Sequence, residues 1–227
     1  MAQICQRIDE PNRLREELSL MLVGDGAVGK TTMIISYIFN GFNSEYKKTA
    51  LDVFTGLIHV NGVPIRLKLI DSAGQDGFGH LRSLCFPHVD VFILCFSLVN
   101  PRSFANISSK WIPQIRAANR TSPVVLVGSQ SDLCHNVGIL IHLNHQRTRP
   151  VSFEKAKRLA HRIRAHSFLE CSALTQHNLK DVFDHAVYAA IEHKDSKSRK
   201  FTLVRRLKSF LYSVFCFVFL ITFFCFL

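Results

Sequence analysis

The stretch LSLMLVGDGAVGKTTMIISYIF, residues 18–39, combines three local signals that together decide the fold. Its first part, LSLMLV, is a continuous apolar run of strand length, and its last part, KTTMIISYIF, has the composition of a helix. Between them, GDGAVGKT (residues 24–31) satisfies the pattern G-x-x-x-x-G-K-[S/T] in the strand–loop–helix context that a phosphate-binding loop requires. The sequence therefore predicts a loop that binds the phosphates of a nucleotide.

Each residue type in this loop has a chemical reason to be there. Glycines let backbone N–H groups curl around phosphate oxygens, and the helix N-terminus adds a partial positive charge. Lys30 is expected to reach the β- and γ-phosphates, and Thr31 to place its hydroxyl on a Mg²⁺ ion. The predicted nucleotide-binding residues of this loop are Gly24, Asp25, Gly26, Ala27, Val28, Gly29, Lys30, Thr31 and Thr32.

The remaining chain alternates between strand and helix patterns. VDVFILCFSLV (89–99) and SPVVLVGSQ (122–130) are apolar runs suited to strands buried on both faces, and Asn61-Gly62 predicts a hairpin turn. Helical patterns occur in PRSFANISSKWIPQIRAA, SFEKAKRLAHRIRA and HNLKDVFDHAVYAAIEHK. This alternation predicts an α/β fold with a six-stranded, mostly parallel sheet and helices on both faces.

A second nucleotide signal, LIDSAGQD, lies forty residues after the phosphate loop. Asp71, at the end of a predicted strand, can hold a Mg²⁺-bound water. Gly74 lets a backbone N–H approach the γ-phosphate, and Gln75 stands where a side-chain amide could orient an attacking water. These positions extend the predicted site from binding to hydrolysis.

The composition excludes several classes of protein. Apolar residues make up 48% of the chain and charged residues 20%, which is typical of a packed globule. The seven cysteines form no CxxC pair, and the N-terminus has no apolar segment, which argues against a secreted, disulfide-bonded protein. The body of the protein is therefore expected in the cytosol.

The C-terminus has the composition of a membrane attachment. Seven Lys or Arg residues and one acid occupy 194–208, and 210–227 contains no charge. A basic run next to an apolar one favours anionic lipid over nucleic acid as the partner. As a helix the tail would be about 27 Å long, so a C-terminal tail anchor and a shallow, acylated tail remain alternatives. The predicted organisation is a polar extension (1–16), a nucleotide-binding domain (17–193), a basic linker (194–209) and an apolar tail (210–227).

Over about residues 17–192 the chain resembles the Rho family of Ras-superfamily small GTPases. The resemblance rests on GDGAVGKT, DSAGQD, FSLVNPRSFANISSKWIPQI and ECSALTQHNLKDVFD, in this order and spacing. VGSQSDL, SALTQHNLKDVFDHA and KTALD are similar to the atypical RhoU/RhoV branch. The resemblance implies the P-loop small-GTPase fold, an extra Rho-type helix within HNVGILIHLNHQRT, and a monomeric GTP/GDP switch that uses Mg²⁺.

The resemblance also implies how guanine is recognised. Ser129-Gln130-Ser131-Asp132 replaces the common N-K-x-D pattern and keeps the acid, whose carboxylate can accept two hydrogen bonds from guanine but not from adenine. The backbone N–H of Ala173 would meet the guanine O6, and Phe42 would stack edgewise on the base. We expect GTP and GDP, not ATP, bound on the base side by Phe42, Gln130, Asp132, Ser172, Ala173 and Leu174.

Hydrolysis is expected to be retained and to be stimulated by a GAP. Gly26 leaves room for Gln75 and for an incoming arginine, and such proteins are slow without that charge. Gln75, Lys30 and Thr49 are the expected catalytic residues, Thr31 and Thr49 the metal ligands, and Tyr46 would close over the phosphates.

The resemblance implies two switch segments, FNSEYKKTALDVF (42–54) and GQDGFGHLRSL (74–84), and both depart from the family in ways that predict a more flexible backbone. Lys48 replaces a proline and Leu51 replaces a phenylalanine, while Gly77 and Gly79 stand where relatives have acids. We therefore expect fast nucleotide exchange, with a limited need for an exchange factor. Asp52 and Phe54 resemble the positions that receive CRIB-type effector kinases by strand addition, although they could also be plain surface-strand residues.

The C-terminus lacks a prenylation motif, because Phe224 stands at the cysteine position. The ending resembles the branch in which a cysteine is palmitoylated, so Cys225 and Cys216 are the candidates. This implies attachment to the cytoplasmic face of the plasma membrane or of endosomes. With Pro11 as its only proline, the N-terminal extension is not expected to bind SH3 domains.

Two other functions remain open at this point. One is a GTP-bound scaffold without meaningful turnover, which Gln75 and Gly26 argue against. The other is a nucleoside or shikimate-type kinase, which would need an arginine lid and would leave Asp132 unexplained.

Overall fold

The computed structural model describes residues 17–42 and 50–197, without the side chain of Asp76. The chain divides into two compact units, 1–190 and 191–227, and the described part of the second unit, 191–197, is helical. The predictions made for the N-terminal extension, the apolar tail and most of the basic linker lie outside the described residues. So do those for Tyr46, Thr49, Cys216 and Cys225.

Within residues 17–42 and 50–197, six strands form one sheet in the order β2-β3-β1-β4-β5-β6. Only β2 and β3 are antiparallel, and the turn between them contains Asn61 and Gly62, both with positive φ (51° and 78°). The prediction of a mostly parallel sheet with one hairpin is therefore confirmed. The strands are β1 (Glu17–Gly24), β2 (Leu51–Val60), β3 (Val63–Ser72), β4 (Val91–Ser97), β5 (Val124–Ser129) and β6 (Ser167–Glu170).

The helices follow the predicted alternation, and α5 confirms the extra helix expected from the resemblance to Rho proteins. The predicted helix around Trp111 is divided: α3 passes through a π-helical segment, Ile107–Trp111, into α4. Pro113 lacks the N–H that would donate to the preceding turn, and the wider turn accommodates its ring. Within the described residues, the helices are α1 (Lys30–Phe39), α2 (Gly79–Cys85), α3 (Pro101–Asn106), α4 (Ile112–Ala118), α5 (Val137–His145) and α6 (Phe153–Arg162). A further helix, α7, begins at residue 179 of the first unit.

The core lies on both sides of the central strands. All seven residues of β4 and all six of β5 are buried, as expected for parallel strands covered by helices on each face. Phe86, Phe96 and Trp111 are among the largest side chains packed there. Because the C-terminal ends of parallel strands meet at one edge of the sheet, the loops that follow β1, β3 and β5 are brought together.

Among the helices of the described residues, none combines the length and the apolar character needed to cross a bilayer.

Candidate functional site

The phosphate loop, residues 24–31, depends on glycine at two positions. Gly24 has a φ of +150°, and a Cβ there would lie 2.1 Å from the carbonyl oxygen of Cys95 on β4. Gly29 has a φ of +88°, a conformation that other residues rarely adopt, and it immediately precedes α1. No side chain caps that helix, so its first N–H groups are available to an anion. The loop thus has the geometry of a phosphate cradle.

Lys30 is buried at the start of α1, with 6% of its surface exposed. Its Nζ donates hydrogen bonds to the carbonyl oxygens of Gly24 (2.9 Å) and Asp25 (2.8 Å), which fixes the ammonium group beside the loop. Burial lowers the pKa of this amine from its ordinary value, against the opposing effects of Cys95 and the Asp71 carboxylate. A bound phosphate would favour the charged form further.

Thr31 and Asp71 meet although forty residues separate them. The Thr31 hydroxyl donates to Oδ2 of Asp71 at 2.5 Å, and Asp71 is fully buried at the end of β3. A hydroxyl and a carboxylate are the oxygen groups that Mg²⁺ prefers, directly or through water, so this pair fits the ion. The described residues contain no cluster of three His, Cys, Asp or Glu side chains, and a site completed by water and phosphate oxygens needs none.

The segment after β3 packs directly on the phosphate loop. A Cβ at Gly74 would lie 2.2 Å from both the carbonyl carbon of Asp25 and the amide nitrogen of Gly26. Only glycine allows this approach, which brings the backbone of Gly74 beside the loop. Gln75 follows with an exposed side chain, in position to move without repacking the core.

Arg82, on α2, fixes the backbone of this same segment. It is 1% exposed, and its Nη1 donates to the carbonyl oxygens of Ala73 (2.6 Å) and Gln75 (2.7 Å). Its guanidinium carbon lies 5.0 Å from the centre of the Trp111 ring. This arginine was not among the predicted site residues, because no motif marks a residue that acts through backbone carbonyls.

The carboxylate of Asp25 links the phosphate loop to the helical segment around Trp111. Its Oδ1 accepts a hydrogen bond from the Trp111 indole nitrogen (2.8 Å), and its Oδ2 accepts one from Asn106 Nδ2 (2.6 Å). Both donors were missed from the sequence, where a tryptophan within a helical pattern indicates only core packing. Because both of its carboxylate oxygens accept these hydrogen bonds, Asp25 positions the loop and is not expected to be a metal ligand.

The predicted base-reading residues follow β5 and are tied to the phosphate loop. The Ser129 hydroxyl donates to the carbonyl oxygen of Val28 at 2.6 Å. Gln130 adopts a left-handed conformation (φ 59°), and its Nε2 donates to the carbonyl oxygen of Ala27 at 3.3 Å. Serine in place of asparagine therefore still connects the two loops.

Asp132 and the loop after β6 meet on the same side. Oδ1 of Asp132 accepts a hydrogen bond from the Ser172 hydroxyl at 2.5 Å, which orients the carboxylate. The carbonyl oxygen of Ala173 accepts one from Ser36 of α1 at 2.7 Å, which places this loop beside the helix that follows the phosphate loop. Leu174 is exposed there. These residues therefore form one candidate base pocket.

Other predicted residues lie at the margins. Phe42 is 46% exposed beyond the end of α1, so its ring is accessible, and Thr32 lies in the first turn of α1. Asp52 and Phe54 lie on the same face of β2, which is at the edge of the described sheet.

Comparison with known proteins agrees with this geometry. Residues 19–192 match the Ras family. The Rho-related GTP-binding protein RhoV of Rattus norvegicus is 53% identical to this chain over 184 residues, and the proteins of the same name from Mus musculus and Homo sapiens are 52% identical. Each alignment covers 81% of this chain and 78% of the relative. The chain therefore belongs to the Ras family, as a Rho-type small GTPase of the RhoU/RhoV branch that binds GTP as a switch and hydrolyses it.

Proposed function

We propose that this GTPase is a fast-exchanging switch, held on the cytoplasmic face of the plasma membrane or of endosomes, that signals to effectors controlling actin and cell morphology. The observation that supports fast exchange most directly is the freedom around Gly77 and Gly79, immediately after the segment that packs on the phosphate loop. The similarity to RhoV supports the Rho-type signalling role.

Glycine at positions 77 and 79 is not required by the fold. A Cβ at Gly77 would meet nothing within 4 Å, and one at Gly79 would meet only Arg82 Nη2 at 3.6 Å. Neither residue has a positive φ. These glycines therefore add backbone entropy to the open state without relieving a clash, which favours release of the nucleotide.

The chain's own residues account for the steps of the cycle. Lys30 and the loop N–H groups hold the phosphates, Gln75 orients the attacking water, and Thr31 with Asp71 would hold Mg²⁺. That ion would neutralise charge on the β- and γ-phosphate oxygens. Loss of the γ-phosphate would remove its contact with the backbone of Gly74. The conformation of this segment would therefore differ between the GTP-bound and GDP-bound states.

The partners of the switch follow from its surfaces and its family. A GAP would supply the missing cation for hydrolysis, an exchange factor would have a limited role, and CRIB-type kinases would add a strand at Asp52 and Phe54. The basic linker and apolar tail would bind anionic lipid, with Cys225 and Cys216 as palmitoylation sites if the tail is shallow.

Release of labelled GDP from the full-length chain in lipid nanodiscs tests the exchange proposal. We expect release within minutes in the presence of Mg²⁺. Release over many hours would contradict fast exchange and leave an ordinary Rho GTPase that depends on an exchange factor.

A second function, a GTP-bound scaffold with negligible turnover, is favoured by the same loose segment. Single-turnover hydrolysis with a broad Rho GAP separates the two, with Gln75→Leu as the inactive control. Hydrolysis well above that control supports a cycling switch. Rates equal to the control, with GTP bound, support the scaffold.

Extraction of membranes tests the form of the tail. Resistance to alkaline carbonate together with release by hydroxylamine supports a shallow, palmitoylated tail. Resistance to both treatments supports a membrane-spanning tail, and release by carbonate alone would contradict stable attachment.

A further inference from the structure

Helix α5 presents apolar side chains outward. Val137 is 70% exposed, Ile141 54% and Leu140 37%, and the helix contains no charged residue. Positions four residues apart share one face of a helix, so Val137 and Ile141 form a continuous stripe with Leu140 beside it. The inward side is held by Leu143, the one buried residue of this helix. A surface helix of a globular protein normally has the opposite polarity.

Cations follow this helix closely. Arg147 and Arg149 are exposed within four residues of its end, and between residues 147 and 166 the chain has a single acid, Glu154. Within the described part of the chain, none of the cations of this stretch forms an ion pair. All seven of them are exposed: Arg147, Arg149, Lys155, Lys157, Arg158, Arg162 and Arg164.

We propose that α5 is a membrane-docking helix, which lies in the headgroup region of an anionic bilayer. Val137, Leu140 and Ile141 insert among the upper acyl chains, and Arg147 and Arg149 contact lipid phosphates. An outward apolar stripe flanked by cations is the composition of helices that lie in the plane of a membrane interface. Nucleic acid would use the cations but would leave the apolar stripe in water.

This inference rests on the proposed attachment of the chain to membranes and goes beyond it. A tail alone holds a domain at the bilayer but does not fix its orientation. Insertion of α5 adds a second contact from within the GTPase domain, which restricts the orientations available to the domain. The two contacts are experimentally separable, because one concerns association and the other concerns the depth of a particular side chain.

Depth-dependent quenching in the full-length chain tests the docking directly. Ile141→Trp places a fluorophore on the stripe, and the natural Trp111 is fully buried, so it supplies a constant background. On vesicles of phosphatidylserine and phosphatidylcholine, we expect the added emission to shift to the blue and to be lost when the lipid is brominated. On phosphatidylcholine alone, the loss should be smaller.

Amide hydrogen exchange of residues 137–145 provides the matched mutational test. Anionic vesicles should slow this exchange in the wild-type chain, and Ile141→Asp should remove the effect. Val63→Asp should retain it, because Val63 is equally exposed (54%) but lies at the β2–β3 hairpin. Unchanged GTP hydrolysis in both variants would show that they fold.

Three other outcomes would overturn the proposal, and the measurements distinguish them. A chain that floats with vesicles while the Ile141→Trp emission is unquenched refutes docking and leaves tail attachment intact. A chain that does not float refutes both. Protection of α5 that rises with the amount of protein per vesicle and coincides with cross-linked pairs shows a contact between two copies of the chain instead.

Discussion

At the scale of single residues, Gly74 is the closest contact between the segment after β3 and the phosphate loop that a side chain would prevent. Its backbone touches the phosphate loop so closely that a Cβ would lie 2.2 Å from backbone atoms of Asp25 and Gly26. Backbone on both sides of the contact cannot yield as a flexible side chain would. The presence of one methyl group therefore decides whether the segment can close on the nucleotide.

Replacement of Gly74 by alanine should impair hydrolysis far more than nucleotide binding. The added methyl group would keep the segment away from the γ-phosphate side, so the single-turnover rate should fall by about tenfold or more, or roughly 1.4 kcal/mol or more in the barrier. Gly77→Ala is the matched control, because a Cβ there meets nothing within 4 Å. Equal rates in the two variants would contradict a role for the close approach.

Replacement of Asp132 by asparagine should change base selectivity. A carboxylate can accept two hydrogen bonds from guanine, whereas an amide can accept only at its oxygen. GTP affinity, measured by calorimetry, should fall by roughly 100-fold or more. Xanthosine triphosphate should bind the variant better than GTP does, since its C2 carbonyl accepts from the new amide. Unchanged GTP affinity would place the base elsewhere.

Which residues of the candidate site could be predicted depended on whether a nucleotide-binding motif includes them or whether they contact only other parts of the protein. Lys30, Thr31 and Asp132 follow from motifs, because nucleotide chemistry requires those groups at those spacings. Arg82 and Trp111 were missed, since they contact a backbone carbonyl and a loop carboxylate that only the folded chain brings near.

At the scale of elements, the segment from Gln75 to the start of α2 is fixed at its first residues by Arg82 and contains two glycines that the fold does not require. Arg82 fixes the carbonyl oxygens of Ala73 and Gln75, while Gly77 and Gly79 allow the intervening backbone to open.

Replacement of both glycines by alanine should slow nucleotide exchange. Gly77→Ala with Gly79→Ala reduces the entropy of the open segment and should stabilise the closed state by about 0.4–1 kcal/mol at each position. GDP release, followed with a labelled nucleotide, should therefore become about fourfold to thirtyfold slower if all of the effect is on release. An unchanged rate would place the cause of fast exchange outside this segment.

Removal of the Arg82 guanidinium should destabilise the fold and reduce turnover together. Arg82→Met keeps the aliphatic stem but leaves two carbonyl oxygens without their charged donor, at a cost of about 2–4 kcal/mol in the free energy of unfolding. Thermal unfolding of the GDP-bound chain measures the loss. Arg82→Lys should recover part of it, and wild-type stability in the methionine variant would contradict the assigned contacts.

The elements themselves were largely predictable. Continuous apolar runs gave β1, β4 and β5, and Asn61-Gly62 gave the hairpin, because these signals depend on local composition. The π-helical segment before Pro113 was not expected, since the periodicity of the whole stretch is that of an uninterrupted helix. We attribute the wider turn to Pro113, which lacks the N–H that would donate to the preceding turn.

At the scale of the whole molecule, burial controls the reactivity of two thiols, Cys95 on the fully buried strand β4 and Cys171 directly after β6. Burial raises the pKa of Cys95 to about 12, and burial likewise raises the pKa of Cys171. Thiolate is the reactive form, so both residues should resist alkylation at pH 8 in the native chain and react after unfolding. Peptide mass spectrometry measures this, and labelling of either residue in the native chain would contradict the packing.

The same shifts set the sign of a pH effect on stability. Because the pKa of each buried thiol is higher in the folded than in the unfolded chain, their contribution to stability is present below the ordinary thiol pKa. It is lost as the pH rises from about 9 towards the folded value. The melting temperature should therefore fall over this range, and Cys95→Ala should weaken the fall. If the melting temperature of Cys95→Ala falls by the same amount, titratable groups other than Cys95 cause the fall.

The assembly of the site from both ends of the domain has a consequence for the order of events during synthesis. The phosphate loop leaves the ribosome well before the Ser172 hydroxyl that orients Asp132, which is made some 140 residues later. Until β6 pairs with β5, a nascent chain can meet phosphate but cannot select guanine. Selection of guanine is therefore expected only after the last parallel strand is complete.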